Sequence, residues 1–132
     1  VALLKRSIKS CGAYSALMQS GLKVAFERDC ANRSFDGIDS SAKLIEVTTV
    51  DGDILYSDGE IQAPSGQIFQ VATLDFLTEG GSGYNGFKGI PITEDLGIFR
   101  EVLTSLFLKF PAQFTSQRDG RWKDLLPAGE GF

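Results

Sequence analysis

Between Lys43 and Glu60 the chain runs KLIEVTTVDGDILYSDGE, and this stretch constrains the fold more than any other. Two β-rich runs, Leu44 to Val50 and Ile54 to Tyr56, flank Asp51-Gly52. That dipeptide between alternating apolar residues predicts a β-hairpin, because both central residues of a type I′ turn need positive φ. A hairpin is not stable alone in water and requires further strands or a helix against its apolar face.

The rest of the chain supplies candidates for both. Leu22, Val24 and Phe26 alternate with Lys23, Ala25 and Glu27, the pattern of a strand with one covered face. Leu3, Leu4 and Ile8 recur at helical spacing opposite Lys5, Arg6 and Lys9, which predicts a short amphipathic helix over residues 1 to 10, ended by Gly12. Asp29 to Ser41 reads as a loop. Ile68 to Leu74 predicts an apolar strand. From Thr93 to Phe110 the spacing of Leu96, Ile98, Phe99, Val102, Leu103, Leu106 and Phe107 predicts a helix, with Thr93 as cap, Glu94 and Asp95 at its positive end, and Pro111 as stop. The tail from Ala112 to Phe132 has turn residues at Asp119-Gly120 and Pro127. The order helix, strand, hairpin, strand, helix, without linker or repeat over residues 1–132, predicts one α+β domain.

Composition excludes several functions. With 13 basic and 17 acidic side chains, a net charge of −4 and no clustered basic face, the chain does not suit a nucleic-acid partner. No run approaches the roughly 20 apolar residues of a membrane span. The chain has no histidine. A zinc hydrolase centre, a Ser-His-Asp triad and a Cys-His pair therefore cannot be assembled from it alone. Cys11 and Cys30 either remain two buried thiols or form a bridge worth about 3 kcal/mol. Asn32-Arg33-Ser34 matches the N-glycosylation acceptor. Bridge and acceptor together would point to secretion.

The stretch DFLTEGGSGYNGF, Asp75 to Phe87, is the candidate for function. It is not a P-loop, since no Gly-Lys followed by Ser or Thr opens a helix. Gly81 to Gly86 satisfies the bare dinucleotide spacing, but no helix pattern follows at once. On composition alone, the glycines could simply permit a tight exit from a strand while Phe76, Tyr84 and Phe87 pack inward.

VATLDFLTEGGSGYNGF resembles the signature of the C-terminal domain of the secreted 5′-nucleotidase family, which includes ecto-5′-nucleotidases and UDP-sugar hydrolases. That signature is an apolar strand, an Asn or Asp, an aromatic, Leu-Ala, then Gly-Gly-Asp-Gly and an aromatic. MQSGLKVAFE is similar to the family's Val-Ser-Gly-Leu segment, and EVLTSLFLKFPAQF with the later DGR is similar to its closing helix and tail. The three signals fall in family order.

The resemblance implies a fold of mixed β-sheets flanked by helices, and a nucleotide or nucleoside as ligand. It implies that Phe76 is one face of an aromatic sandwich around the base, and that Gly80, Gly81 and Gly83 let the backbone approach the sugar. Ser82 stands where the family has a ribose-binding Asp. A pair of divalent metal ions would belong to a metallophosphoesterase domain that this chain lacks. The second aromatic would lie upstream of the counterpart of Val1. The expected partner is therefore the missing N-terminal polypeptide or a second copy of the chain. A non-catalytic binding protein that retains the fold is the other reading.

Overall fold

The structure, a computed structural model, describes residues 1–12, 16–17, 19–110 and 119–126. Helix α1 spans Ala2–Ile8, and strands β1 (Leu22–Glu27), β2 (Lys43–Thr49), β3 (Ile54–Ser57) and β4 (Glu60–Ile61) follow. The second part holds a one-turn helix α2 (Asp75–Thr78), helix α3 (Phe99–Lys109) and strand β5 (Trp122–Asp124). The described strands form one mixed sheet in the order β4-β3-β2-β1-β5. Only β5 runs parallel to its neighbour, β1. The fold class is α+β, as the element order predicts.

One cross-strand row explains the core. Ile61 pairs with Tyr56, Tyr56 with Val47, Val47 with Val24, and Val24 with Trp122. Side chains in one row share a face of the sheet. Here the inner members Tyr56, Val47 and Val24 are buried with Phe26 and Leu44, and Leu4 and Ile8 of α1 close over them. Trp122 is half-buried and its ring lies 5.1 Å from that of Phe26 at a tilt of 52°, an arrangement favoured by the ring quadrupoles. It anchors the tail, although the sequence offers no strand pattern there.

The hairpin forms, but with a different turn. Gly52 has a φ of +100°, whereas Asp51 does not enter the positive-φ region. Gly52 N–H donates to the Thr49 carbonyl at 3.2 Å, and Thr49 N–H to that of Asp53 at 2.9 Å. This three-residue loop ends on a left-handed glycine instead of using a type I′ pair. The type I′ signature occurs at the next turn, Asp58-Gly59, with φ values of +52° and +86°, where Ser57 pairs with Glu60.

Two other expectations are corrected. Residues 68–74 form no strand: Ile68, Phe69, Val71 and Leu74 are exposed, and the free edge beyond β3 is taken only by the two-residue β4. An apolar run without a ladder partner leaves its backbone to water. The late helix begins at Phe99 with Ile98 at its N-cap, not at Thr93. Gly97, with a φ of +84°, cannot continue a right-handed helix back through Asp95, and the Asp95 carboxylate instead accepts the Gly97 N–H at 2.8 Å. Pro111, Pro127 and most of the tail lie outside the described residues.

The end of α1 is tied to the 29–41 loop. Cys11 and Cys30 are bonded across 19 positions, Cys11 N–H donates to the Gly37 carbonyl and Asp39 N–H to that of Lys9. Asp39 is buried, yet its carboxylate accepts from Asp29 N–H at 2.7 Å, Ser41 N–H at 2.8 Å and the Ser41 hydroxyl at 2.6 Å. Burial pushes its pKa up, but these hydrogen bonds and the Arg28 charge outweigh it and hold the group below its ordinary 3.8. Arg28 donates to the Ser10 carbonyl at 2.5 Å, lies over the Phe26 ring and pairs with Asp124 at 3.5 Å.

Reduction of the Cys11–Cys30 bond should lower unfolding free energy by about 3 kcal/mol, since loop-closure entropy returns to the unfolded chain, and urea titration with and without reductant measures this. Because the folded pKa of Asp39 is depressed, its contribution is fully present above the unfolded value and is lost as pH falls through it towards the folded one. Asp39→Asn should therefore flatten the loss of stability below pH 4, read by denaturation across that range.

Candidate functional site

The glycine stretch is a succession of tight turns that opens with α2. Asp75 braces the start: its carboxylate accepts Phe76 N–H at 2.6 Å, and its carbonyl accepts the Thr78 hydroxyl at 2.7 Å. Gly80 N–H then donates to the Leu77 carbonyl, Gly83 N–H to that of Gly80 and Tyr84 N–H to that of Gly81. Gly80, Ser82 and Gly83 take φ values of +82°, +54° and +78°. Glycine reaches this region freely, whereas the Cβ of a serine makes it costly, about 1–2 kcal/mol.

Phe76 is 60% exposed. A Cβ built on Gly81 would lie 2.4–2.5 Å from three successive ring carbons, Cδ1, Cε1 and Cζ. A point equally distant from three adjacent ring atoms stands above the ring, so one face of Phe76 lies on the Gly81 backbone. The absence of a side chain at 81 is what admits the ring. Gly80 is similarly crowded: a Cβ there would meet Lys88 Cε at 2.4 Å and Asn85 Oδ1 at 2.8 Å.

The stretch is seated by its aromatics. Tyr84, 2% exposed, and Phe87 are buried, and the turn carrying Phe87 packs on α1, where Leu3 lies 3.0 Å from the position of a Cβ on Gly86. Phe76, Gly80, Gly81, Ser82 and Gly83 thus come together in one turn on the side of α1 away from the sheet. Nothing in the sequence pattern singles out Arg6, yet its Nη2 donates to the Ser82 carbonyl at 3.2 Å and its guanidinium stands 5.8 Å from the Tyr84 ring centre. In the helical pattern it counts only as one of three cations on a solvent face.

Other candidates lie elsewhere. Asn32 is exposed on a short turn beside the disulfide, its amide donating to Asp29 Oδ2 at 2.5 Å. A cavity of about 370 Å³ opens between Cys11, Leu17, Gln19, Arg28, Arg121 and Trp122. A smaller one of about 110 Å³ adjoins Asp119 and Arg121. Their hydrogen bond holds the Asp119 carboxyl at about 2, and the exposed guanidinium is thereby paired. Neither cavity is lined by the glycine stretch. No group of three or more His, Cys, Asp or Glu side chains among the described residues could hold a metal ion. No described helix is long and apolar enough to cross a membrane.

Gly81→Ala should leave global stability within about 1 kcal/mol, since Gly81 is not in the positive-φ region and the turn is largely exposed. It should displace the Phe76 ring, and the disappearance of proton Overhauser contacts between that ring and residue 81 is the measurement.

No protein-family model matches the chain, and no curated protein and no solved structure matches it.

Proposed function

We propose that this chain is the nucleoside-recognising C-terminal part of a secreted 5′-nucleotidase-like phosphohydrolase. One observation carries the reading: the Phe76 ring is held by a turn that a side chain at position 81 would obstruct, with one face on the backbone and the residue 60% exposed. A flat heterocycle can stack on the opposite face, an interaction worth about 1–3 kcal/mol in single-stranded nucleic-acid sites. The exposed residue Ser82 and the bare backbone at Gly80, Gly81 and Gly83 lie next along the turn, where a sugar would follow the base.

A single ring in the open is half of a site. In the family pattern the second wall comes from residues outside the segment that this chain matches, so another polypeptide segment or a second copy of the chain would complete the sandwich. On this reading, hydrolysis at a divalent metal pair would be the work of a separate metallophosphoesterase domain, and the role of this chain would be to hold the nucleoside. Secretion is supported by the Cys11–Cys30 bond, since disulfides persist in oxidising compartments. In that compartment the exposed Asn32 would be a glycosylation acceptor.

Ser82 favours a second reading. A hydroxyl in place of the family's carboxylate gives a weaker grip on ribose, because hydrogen bonds to an ionised acceptor are roughly twice as strong. A non-catalytic binding protein that keeps the fold would tolerate this change. Metal-dependent release of phosphate from AMP by the intact source protein is expected on the first reading and not on the second.

Titration of the isotopically labelled chain with adenosine should shift the resonances of Phe76 and Gly80 to Gly83. Phe76→Ala should weaken the interaction roughly 5- to 100-fold, and absence of any shift at these residues overturns the nucleoside assignment. Ser82→Asp should tighten adenosine more than 2′,3′-dideoxyadenosine, because only the former offers ribose hydroxyls to the carboxylate.

A further inference from the structure

We infer that Arg6 is the positioning residue of the glycine turn, setting the direction in which the open face of Phe76 looks. Arg6 belongs to α1, and Ser82 lies 76 positions further along the chain. The two meet because α1 is fixed between the sheet, through the buried Leu4 and Ile8, and the glycine stretch, through Leu3 and Arg6.

Three contacts converge on one guanidinium. Its Nη2 donates to the carbonyl of Ser82, the non-glycine residue of the turn held at positive φ. Its Cζ stands over the buried Tyr84 ring, 5.8 Å from the centroid, a distance at which a cation is attracted to the ring face. Its Nε lies 3.2 Å from where a Cβ on Gly83 would be, so Gly83 is bare on the side that Arg6 occupies. Nη1 is buried and makes no hydrogen bond among the described residues. Arg6 as a whole is half-buried, and its removal would take from the Ser82 carbonyl the donor that ties it to α1.

The link to Phe76 is short. Arg6 fixes Ser82 and Tyr84, these bracket Gly83 and follow Gly81, and the Phe76 ring rests on Gly81. Lysine does not substitute for this arrangement. A planar guanidinium donates along its edge while its face lies on an aromatic ring, whereas an ammonium is a compact point charge on a flexible stem. The role of Arg6 in ligand binding rests on the nucleoside reading, but its hold on the turn does not.

The test separates the two. In the unliganded chain, a face-on phenyl ring should shift the Gly81 α-protons upfield. Arg6→Ala should abolish that shift and reduce amide-exchange protection at Gly83 and Tyr84 at least 10-fold, while β1 and β2 keep their protection. Arg6→Lys, which keeps the charge, should restore neither signal. If Arg6→Ala does not fold, Arg6→Gln, which retains a neutral donor, is read by the same two signals. Unchanged Gly81 shifts and unchanged protection at Gly83 and Tyr84 in a folded variant overturn the inference, whatever adenosine does with the unmodified chain. A turn that loosens as expected in a chain that binds no adenosine sinks the nucleoside reading and leaves Arg6 as its clamp.

Discussion

The seating of Leu4 and Ile8 on Val24, Phe26 and Val47 is the contact on which the remaining organisation rests. It joins the roughly two amphipathic turns of α1 to the centre of the sheet, and a seven-residue helix has too little internal stability to persist without such packing. Once α1 is fixed, its other side becomes a platform. Leu3 and Arg6 face the glycine stretch, so a segment more than 70 residues away acquires a defined position against the helix.

The opposite end of α1 is held by different chemistry. There, a disulfide, a buried carboxylate with three donors and an arginine stacked on Phe26 replace apolar burial. Such groups are tolerated inside because their hydrogen-bonding demands are met: an unpaired carboxylate at Asp39 would cost far more than the net gain of any one of its bonds. The 29–41 loop, rich in Asp, Asn and Ser, uses its own side chains to substitute for a ladder, which is why it needs no regular structure.

Sequence periodicity exposed the parts of the fold that depend on neighbours in sequence. β1 and α1 are legible because each buries a single face at its proper spacing, and the alternation of Leu22, Val24 and Phe26 survives as burial. β2 and β3 are legible from β-rich composition around a turn, since β2 buries Leu44 and Val47, three apart, across a register shift against β1. Turn chemistry was legible as a glycine requirement but not as a turn type, since Asp51-Gly52 and Asp58-Gly59 look alike and only the strand register distinguishes them. β5 was not legible: three residues, Trp122 to Asp124, acquire strand geometry from β1 and not from any pattern of their own. Ile68 to Leu74 errs the other way, with β propensity but no neighbouring edge. At the candidate site the glycines and Phe76 could be picked out from residue types, while Arg6 could not, because its role arises from a contact across 76 positions.

The parallel pairing of β1 with β5 has a consequence for how the molecule is made. Val24 N–H finds its acceptor only when Arg121 arrives, and the neighbouring Arg121–Ser20 contact spans 101 positions. Closing so long a loop is entropically costly before its rewards accrue, and topologies dominated by distant contacts fold slowly. A nascent chain emerging from the ribosome would therefore carry β1 with one edge bare until Trp122, which shields the Phe26 ring, has been made.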